Sequence, residues 1–324
     1  MGRYSHLELF EHWNMQSFIV RINGGIIDFF EAYGIWKMPL LRNYCIERIV
    51  SLGTLPVVHR NLESISWLHP KLCTKDMFTR FPNLKKLGII DVELYEINDG
   101  GSDENNDDNF VNLGQLGLEE LSIKGWKFHI RCSSIAWATS FLPNLKKLKF
   151  FWTSLAWSDM RLISMLPNLE VLKLINAITS FACEDTMWEP SEEGFRQLKR
   201  LVIEDKHGML EHWNAVGDHF PLLECLELRE CKYLQEIPIG FVDIIILALI
   251  QLNGCGDSVL ASAKLIQEEQ YNNYGNALLV CSENIRTKGS VNSSEEEWDV
   301  QTKCSVNSSE EEWDVEEESD HYQD

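Results

Sequence analysis

The 324-residue sequence has no phosphate-binding loop of the form GxxxxGK(S/T), and no GxGxxG follows an apolar run, so the nucleotide-binding loops are excluded. It also lacks HExxH and GxSxG, which removes the helical zinc hydrolases and the nucleophile elbow. The nine histidines are isolated, and the carboxylates gather in solvated stretches rather than in pairs suited to acid and base roles. Nine cysteines are present, but no CxxC and no His/Cys cluster with zinc spacing. Reduced, buried thiols are therefore expected rather than a disulfide framework. The longest apolar stretch, Phe241–Ile250, is interrupted by Asp243 and is too short to cross a bilayer. The opening MGRYSHLELF lacks the apolar core of a signal peptide, and His6 stands where a myristoylation motif wants Ser or Thr. Positive charge is scarce as well. Lys plus Arg number 29 against 50 for Asp plus Glu, a net charge of -21 that argues against nucleic-acid binding. The expectation is a cytoplasmic, non-catalytic protein with no cofactor, metal or membrane segment; nuclear or peripheral membrane association stays open.

The acidity is local. Residues 291–324 hold thirteen acidic residues and one basic one, Lys303, and Asn98–Asn109 holds five acidic residues and none basic. What remains is an ordinary globular surface with 44% apolar residues in the chain as a whole.

A repeat is present. Leu145-Lys-Lys-Leu148-Lys-Phe150, Leu169-Glu-Val-Leu172-Lys-Leu174 and Leu198-Lys-Arg-Leu201-Val-Ile203 share the pattern LxxLxL, as do the units starting at Leu84, Leu118 and Leu223. Looser copies start at Met15, Leu41, Leu62 and Leu247. The spacings run from 21 to 34 residues, and most match leucine-rich repeats. The longest contains the acidic segment 98–109, which reads as a loop insertion. The second and third apolar residues are two apart and so share one strand face. Each unit then contributes one strand and a return segment, and parallel pairing stacks the leucines into a continuous core. Phe81-Pro82-Asn83, Leu142-Pro143-Asn144, Leu166-Pro167-Asn168 and Phe220-Pro221-Leu222 precede strands, where a residue with fixed φ and no amide donor is suited. Cys231 and Cys255 fall at the next inward position, where a small residue lets the chain turn inside the core. EHWN occurs at Glu11–Asn14 and again at Glu211–Asn214, an echo of the return segment.

The predicted architecture is an α/β leucine-rich-repeat solenoid of about ten units over residues 1–282, a horseshoe with a parallel β-sheet on its concave face and irregular or short helical segments on the convex side. Ser258–Tyr271 reads as an amphipathic capping helix with Val259, Ala263 and Ile266 on one face. Residues 283–324 read as a disordered acidic tail, in which SVNSSEEEWDV at Ser290–Val300 recurs identically at Ser305–Val315.

Concave side chains carry recognition in such a scaffold. The candidates are Lys86, Glu120, Lys124, Lys147, Lys149, Phe151, Lys173, Arg200, Glu204, Glu227 and Arg229, beside the strand leucines. Lys124, Lys147, Lys149, Lys173 and Arg200 are expected to form a basic stripe facing an acidic partner surface or the chain's own acidic segments.

The residues also resemble a family. IWKMPLLRNYCI (35–46), NLESISWLHPKLCTKDMFTRFPNLKKLGI (61–89), GFRQLKRLVIEDKHGMLEHW (194–213) and LNGCGDSVLASAKLIQEEQ (252–270) are similar to the C-terminal repeats of late blight resistance-like proteins of nightshade plants. These are immune receptors of the coiled-coil, nucleotide-binding, leucine-rich-repeat type. The resemblance covers roughly residues 33–282 and includes no phosphate loop. It implies a recognition role in plant defence, with a pathogen effector, a host guardee or a receptor's nucleotide-binding portion as partner. It implies no catalytic residue. An acidic-tailed repeat protein binding basic partners such as histones, and a ubiquitin-ligase substrate adaptor, are the alternatives.

Overall fold

The computed structural model describes residues 14–20, 38–49, 58–90, 112–125, 142–179 and 185–283. The acidic segment 98–109, most of the first EHWN and the duplicated acidic tail lie outside the described residues.

Every LxxLxL unit begins a strand two residues after its first apolar residue. The strands are β1 (Ser17–Val20), β2 (Asn43–Ile49), β3 (Ser64–Leu68), β4 (Lys86–Ile90), β5 (Glu120–Lys124), β6 (Lys147–Phe151) and β7 (Val171–Ile175). β8 (Met187–Trp188) follows, then β9 (Arg200–Glu204), β10 (His212–Trp213), β11 (Cys225–Arg229), β12 (Leu249–Asn253) and β13 (Leu279–Glu283). Eleven of them form one sheet in the order β1-β2-β3-β4-β5-β6-β7-β9-β11-β12-β13, and β8 and β10 pair separately on the return side. All neighbours pair in parallel. The fold is an α/β leucine-rich-repeat solenoid with the parallel sheet on its concave face.

The inward positions make the core. Leu121/Ile123, Leu148/Phe150, Leu172/Leu174, Leu201/Ile203, Leu226/Leu228 and Ile250/Leu252 are all buried, and each stands in register with its counterpart one repeat away. Burying such a side chain contributes about 1.5–3 kcal/mol, and no unit could bury its own row alone.

Both ends of each strand are held by repeated devices. Before the strand, the amide of Leu84, Leu145, Leu198, Leu223 or Leu247 donates to the carbonyl three residues back, closing a β-turn. Proline occupies the second position of several of these turns because its φ is already correct there. An asparagine immediately before the unit's first leucine has a further use. Asn61, Asn83 and Asn168 each donate through Nδ2 to a carbonyl in the preceding turn, those of Pro39, Arg60 and Pro143, at 2.7 Å. After the strand, Trp152, Asn176 and Glu230 take left-handed φ values of 53°, 47° and 54°. Thr153, Ala177 and Cys231, which follow them, turn the chain into the core, as Cys255 does after Gly254 at a φ of 66°. The Cys231 thiol donates to the Ile203 carbonyl at 3.7 Å and Cys255 to Leu228 at 3.4 Å, each one repeat back. Hydrogen bonding between the two thiols, together with burial, raises the pKa of Cys231, and that same contact lowers Cys255.

The return side carries the largest side chains. Trp157, Trp188 and Trp213 stack with ring centroids 5.1 and 4.9 Å apart. The second EHWN supplies Trp213 on β10, beside Trp188 on β8. Phe195, Phe220 and Phe241 meet this column edge-on, and Phe195 stacks on Phe220. Short helices α1 (Lys75–Arg80) and α2 (Met160–Ser164) complete earlier returns, α1 being N-capped by Thr74, whose Oγ1 accepts from the Met77 amide.

The expected capping helix is α3 (Asp257–Tyr274), and Val259, Ala263 and Ile266 are its buried face. Its fourth buried residue, Gln270, donates to the carbonyls of Phe241 and Ile244. α3 covers the core and also serves as a return segment, because β13 follows it and pairs in register with β12. Asn276 repeats the stitching of the earlier asparagines by donating to the Ile245 carbonyl at 2.7 Å. β13 escapes the repeat pattern since its segment, Leu278-Leu279-Val280-Cys281-Ser282, lacks the third apolar residue.

Candidate functional site

Alternation sends one side chain of each strand pair into the core and the other to the concave face. All eleven candidates sit on outward positions of β4, β5, β6, β7, β9 and β11. Register arranges them in three columns. Lys86, Glu120, Lys147 and Arg200 occupy the first, with Val171 between the last two. Lys149, Lys173 and Glu227 occupy the middle one, with Val202 before Glu227. Lys124, Phe151, Glu204 and Arg229 belong to the third, with Ile175 after Phe151.

The columns divide the expected basic stripe. Glu120 sits between Lys86 at 3.1 Å and Lys147 at 3.7 Å, so Lys147 faces a carboxylate. Arg200 lies 3.0 Å from Glu227, which Arg229 also reaches at 2.7 Å. Glu227 is only 1% exposed although it points to the concave side. Burial works to raise its carboxyl pKa, but the charges and hydrogen bonds of Arg229 and Arg200 outweigh it and hold the group below the usual carboxylate range. Glu204 accepts from Asn176 at 2.9 Å and pairs with Lys206 at 3.6 Å. The Lys124 ammonium stands 5.9 Å from the centroid of the Trp67 ring. The stripe is thus broken into local pairs, and within it Lys149 and Lys173 are registered neighbours of like charge.

One contributor to this face departs from the repeat. Trp67 is the third apolar residue of the unit starting at Leu62, which the pattern points inward, but Leu68 takes that position, in register with Ile89. Trp67 has a left-handed φ of 62°, and the β3–β4 register shifts beside it. A Cβ at Gly88 would stand 2.9 Å from the Trp67 amide nitrogen, so glycine is what lets the bulge lie over β4. The indole meets Phe151 edge-on at 6.1 Å. The only cue in the sequence is the Gly at an outward strand position, which signals close backbone approach.

The described residues contain no group of three His, Cys, Asp or Glu suited to a metal ion. None of their helices is long and apolar enough to cross a membrane.

The chain is similar to resistance proteins of Solanum demissum. It is 32% identical to one late blight resistance protein homolog of that species over 270 residues, 80% of this chain and 32% of that protein. It is 36% identical to late blight resistance protein R1-A over 222 residues, 67% of this chain and 16% of that protein. With the homolog R1B-16 it shares 42% identity over 138 residues, 41% of this chain and 10% of that protein. The chain therefore spans a third or less of the length of these relatives. No protein-family model matches it.

Proposed function

The chain is late blight resistance-like over its repeats, and on that premise we propose that it acts in plant disease resistance as a non-catalytic recognition module. Its concave sheet is the recognition surface. The partner is a protein: a pathogen effector, a guarded host protein or the nucleotide-binding portion of a receptor. The observation that carries the reading is the contrast between the two sides of the sheet. Inward positions repeat Leu, Ile and Phe from strand to strand, whereas outward positions change at almost every step while the backbone stays in register. A rigid platform with variable side chains suits selective binding and supplies no chemistry of its own.

The test is co-immunoprecipitation of the full chain with a panel of such proteins. A Lys149→Glu/Phe151→Ala/Arg229→Ala variant on the concave face is compared with Lys264→Ala on exposed α3. The concave variant should lose the partner at least tenfold, and the α3 variant should keep it. A partner retained by the concave variant and lost by the α3 variant would overturn this reading.

A further inference from the structure

We infer that Lys149 and Lys173 are the anchoring point for an extended acidic segment of a partner protein, laid across β5, β6, β7 and β9; this rests on the recognition reading above. Three observations carry it. First, the two lysines are registered neighbours on adjacent parallel strands, whose spacing is about 4.8 Å. Like charges placed side by side on a sheet cost stability instead of adding to it. Second, the carboxylates that could neutralise Lys173 are held elsewhere: Glu120 by Lys86 and Lys147, Glu227 by Arg200 and Arg229, Glu204 by Lys206. Lys173 has no ion pair among the described residues, and the next residue in its column is Val202. Third, the outward positions from β4 to β9 carry six cations and two carboxylates, a local charge of +4 on a chain of net charge -21. A positive patch inside a negative chain draws an acidic segment to one place and repels it elsewhere.

The same features select a protein over other anions. A concave sheet cannot lie flat against a membrane. A strongly negative chain disfavours the long, uniform phosphate backbone of nucleic acid. Flanking Phe151, Val171 and Ile175 offer apolar contact to a polypeptide side chain.

Fluorescence anisotropy with labelled octaglutamate, octalysine and a single-stranded DNA 12-mer tests this on the full chain at 50 mM salt. Octaglutamate should bind, weaken at 300 mM salt, and lose at least tenfold in affinity with Lys149→Glu/Lys173→Glu. Lys149→Met/Lys173→Met, which removes charge without reversing it, should also lose affinity, and Lys264→Glu should not. Circular dichroism checks that each variant is folded. Failure of octaglutamate to bind, equal binding by the double variants, or tighter binding of the DNA would each overturn the inference. If that happens while protein capture still depends on the concave face, the recognition reading survives and only the acidic chemistry falls.

Discussion

Two columns of the same sheet follow opposite rules. Immediately before the strands, Arg42, Glu63, Lys85, Glu119, Lys146, Glu170, Lys199 and Glu224 succeed one another, each amide after the first donating to the carbonyl of the residue before it in the column. The signs alternate without a break over eight repeats. Four adjacent pairs close to between 3.3 and 3.7 Å. The middle column of the concave face, only a few residues away, sets Lys149 against Lys173. The alternating column shows that this chain can place opposite charges side by side where the register asks only for stability. The lysine pair therefore marks a position chosen under a different demand, and binding is the demand that fits its place.

The comparison presumes a rigid platform, and the largest effects come from breaking it. Trp188 is fully buried between Trp157 and Trp213. Trp188→Ala should cost about 3–5 kcal/mol in a denaturant titration and disorganise both columns together. A loss below about 1 kcal/mol would mean the return side does not set the sheet's geometry.

Next in size is Glu227, the carboxylate that the concave face buries among the described residues. Glu227→Ala removes a hydrogen-bonded charge from between two half-exposed arginines, and about 2–3 kcal/mol of stability should go with it. Because the folded state holds this carboxyl below its ordinary 4.5, its contribution is complete at neutral pH and fades as pH falls through the lower folded value. Glu227→Gln should flatten that part of the acid-unfolding profile. An unchanged profile below about pH 4.5 would show that the arginines are not its partners in solution.

Strand positions, the inward rows and the buried face of α3 are legible in the sequence because LxxLxL carries its own spacing, and burial forces that spacing. The asparagine stitching is less so: a Pro-Asn pair announces a turn, but which carbonyl Asn83 reaches depends on the turn one repeat earlier. A continuous basic stripe over-reads the sequence for a related reason. Alternation gives the face of Lys147 and Arg200, while their partners Glu120 and Glu227 come from neighbouring repeats across returns of unequal length. Trp67, which the pattern points inward, defeats such a reading because a register shift, which no period announces, lifts it over Gly88 and gives the inward position to Leu68.

The alternating column can be broken at its centre. Glu119→Lys would set three cations in a row with Lys85 and Lys146, replacing two ion pairs by two repulsions. These groups are exposed, so the cost should be about 1 kcal/mol at low salt and should shrink at about 0.5 M salt. A cost that salt leaves unchanged would point to packing rather than charge as the column's role.

The smallest effect is the most telling, because its sign differs. Lys173→Glu would face Lys149 and extend the rule of alternation into the middle column. A cross-strand pair of opposite charge contributes roughly 0.2–1 kcal/mol, so this variant should unfold at a slightly higher temperature than the natural chain, more clearly at low salt. The same substitution should abolish octaglutamate binding. A rise in stability coupled to a loss of binding is what a site held against the stability of its own sheet must give. A solvated face with no partner would give the rise with no binding to lose. If stability falls instead, Lys173 has a structural partner that outweighs its repulsion with Lys149, and the contrast between the two columns no longer argues for a binding site.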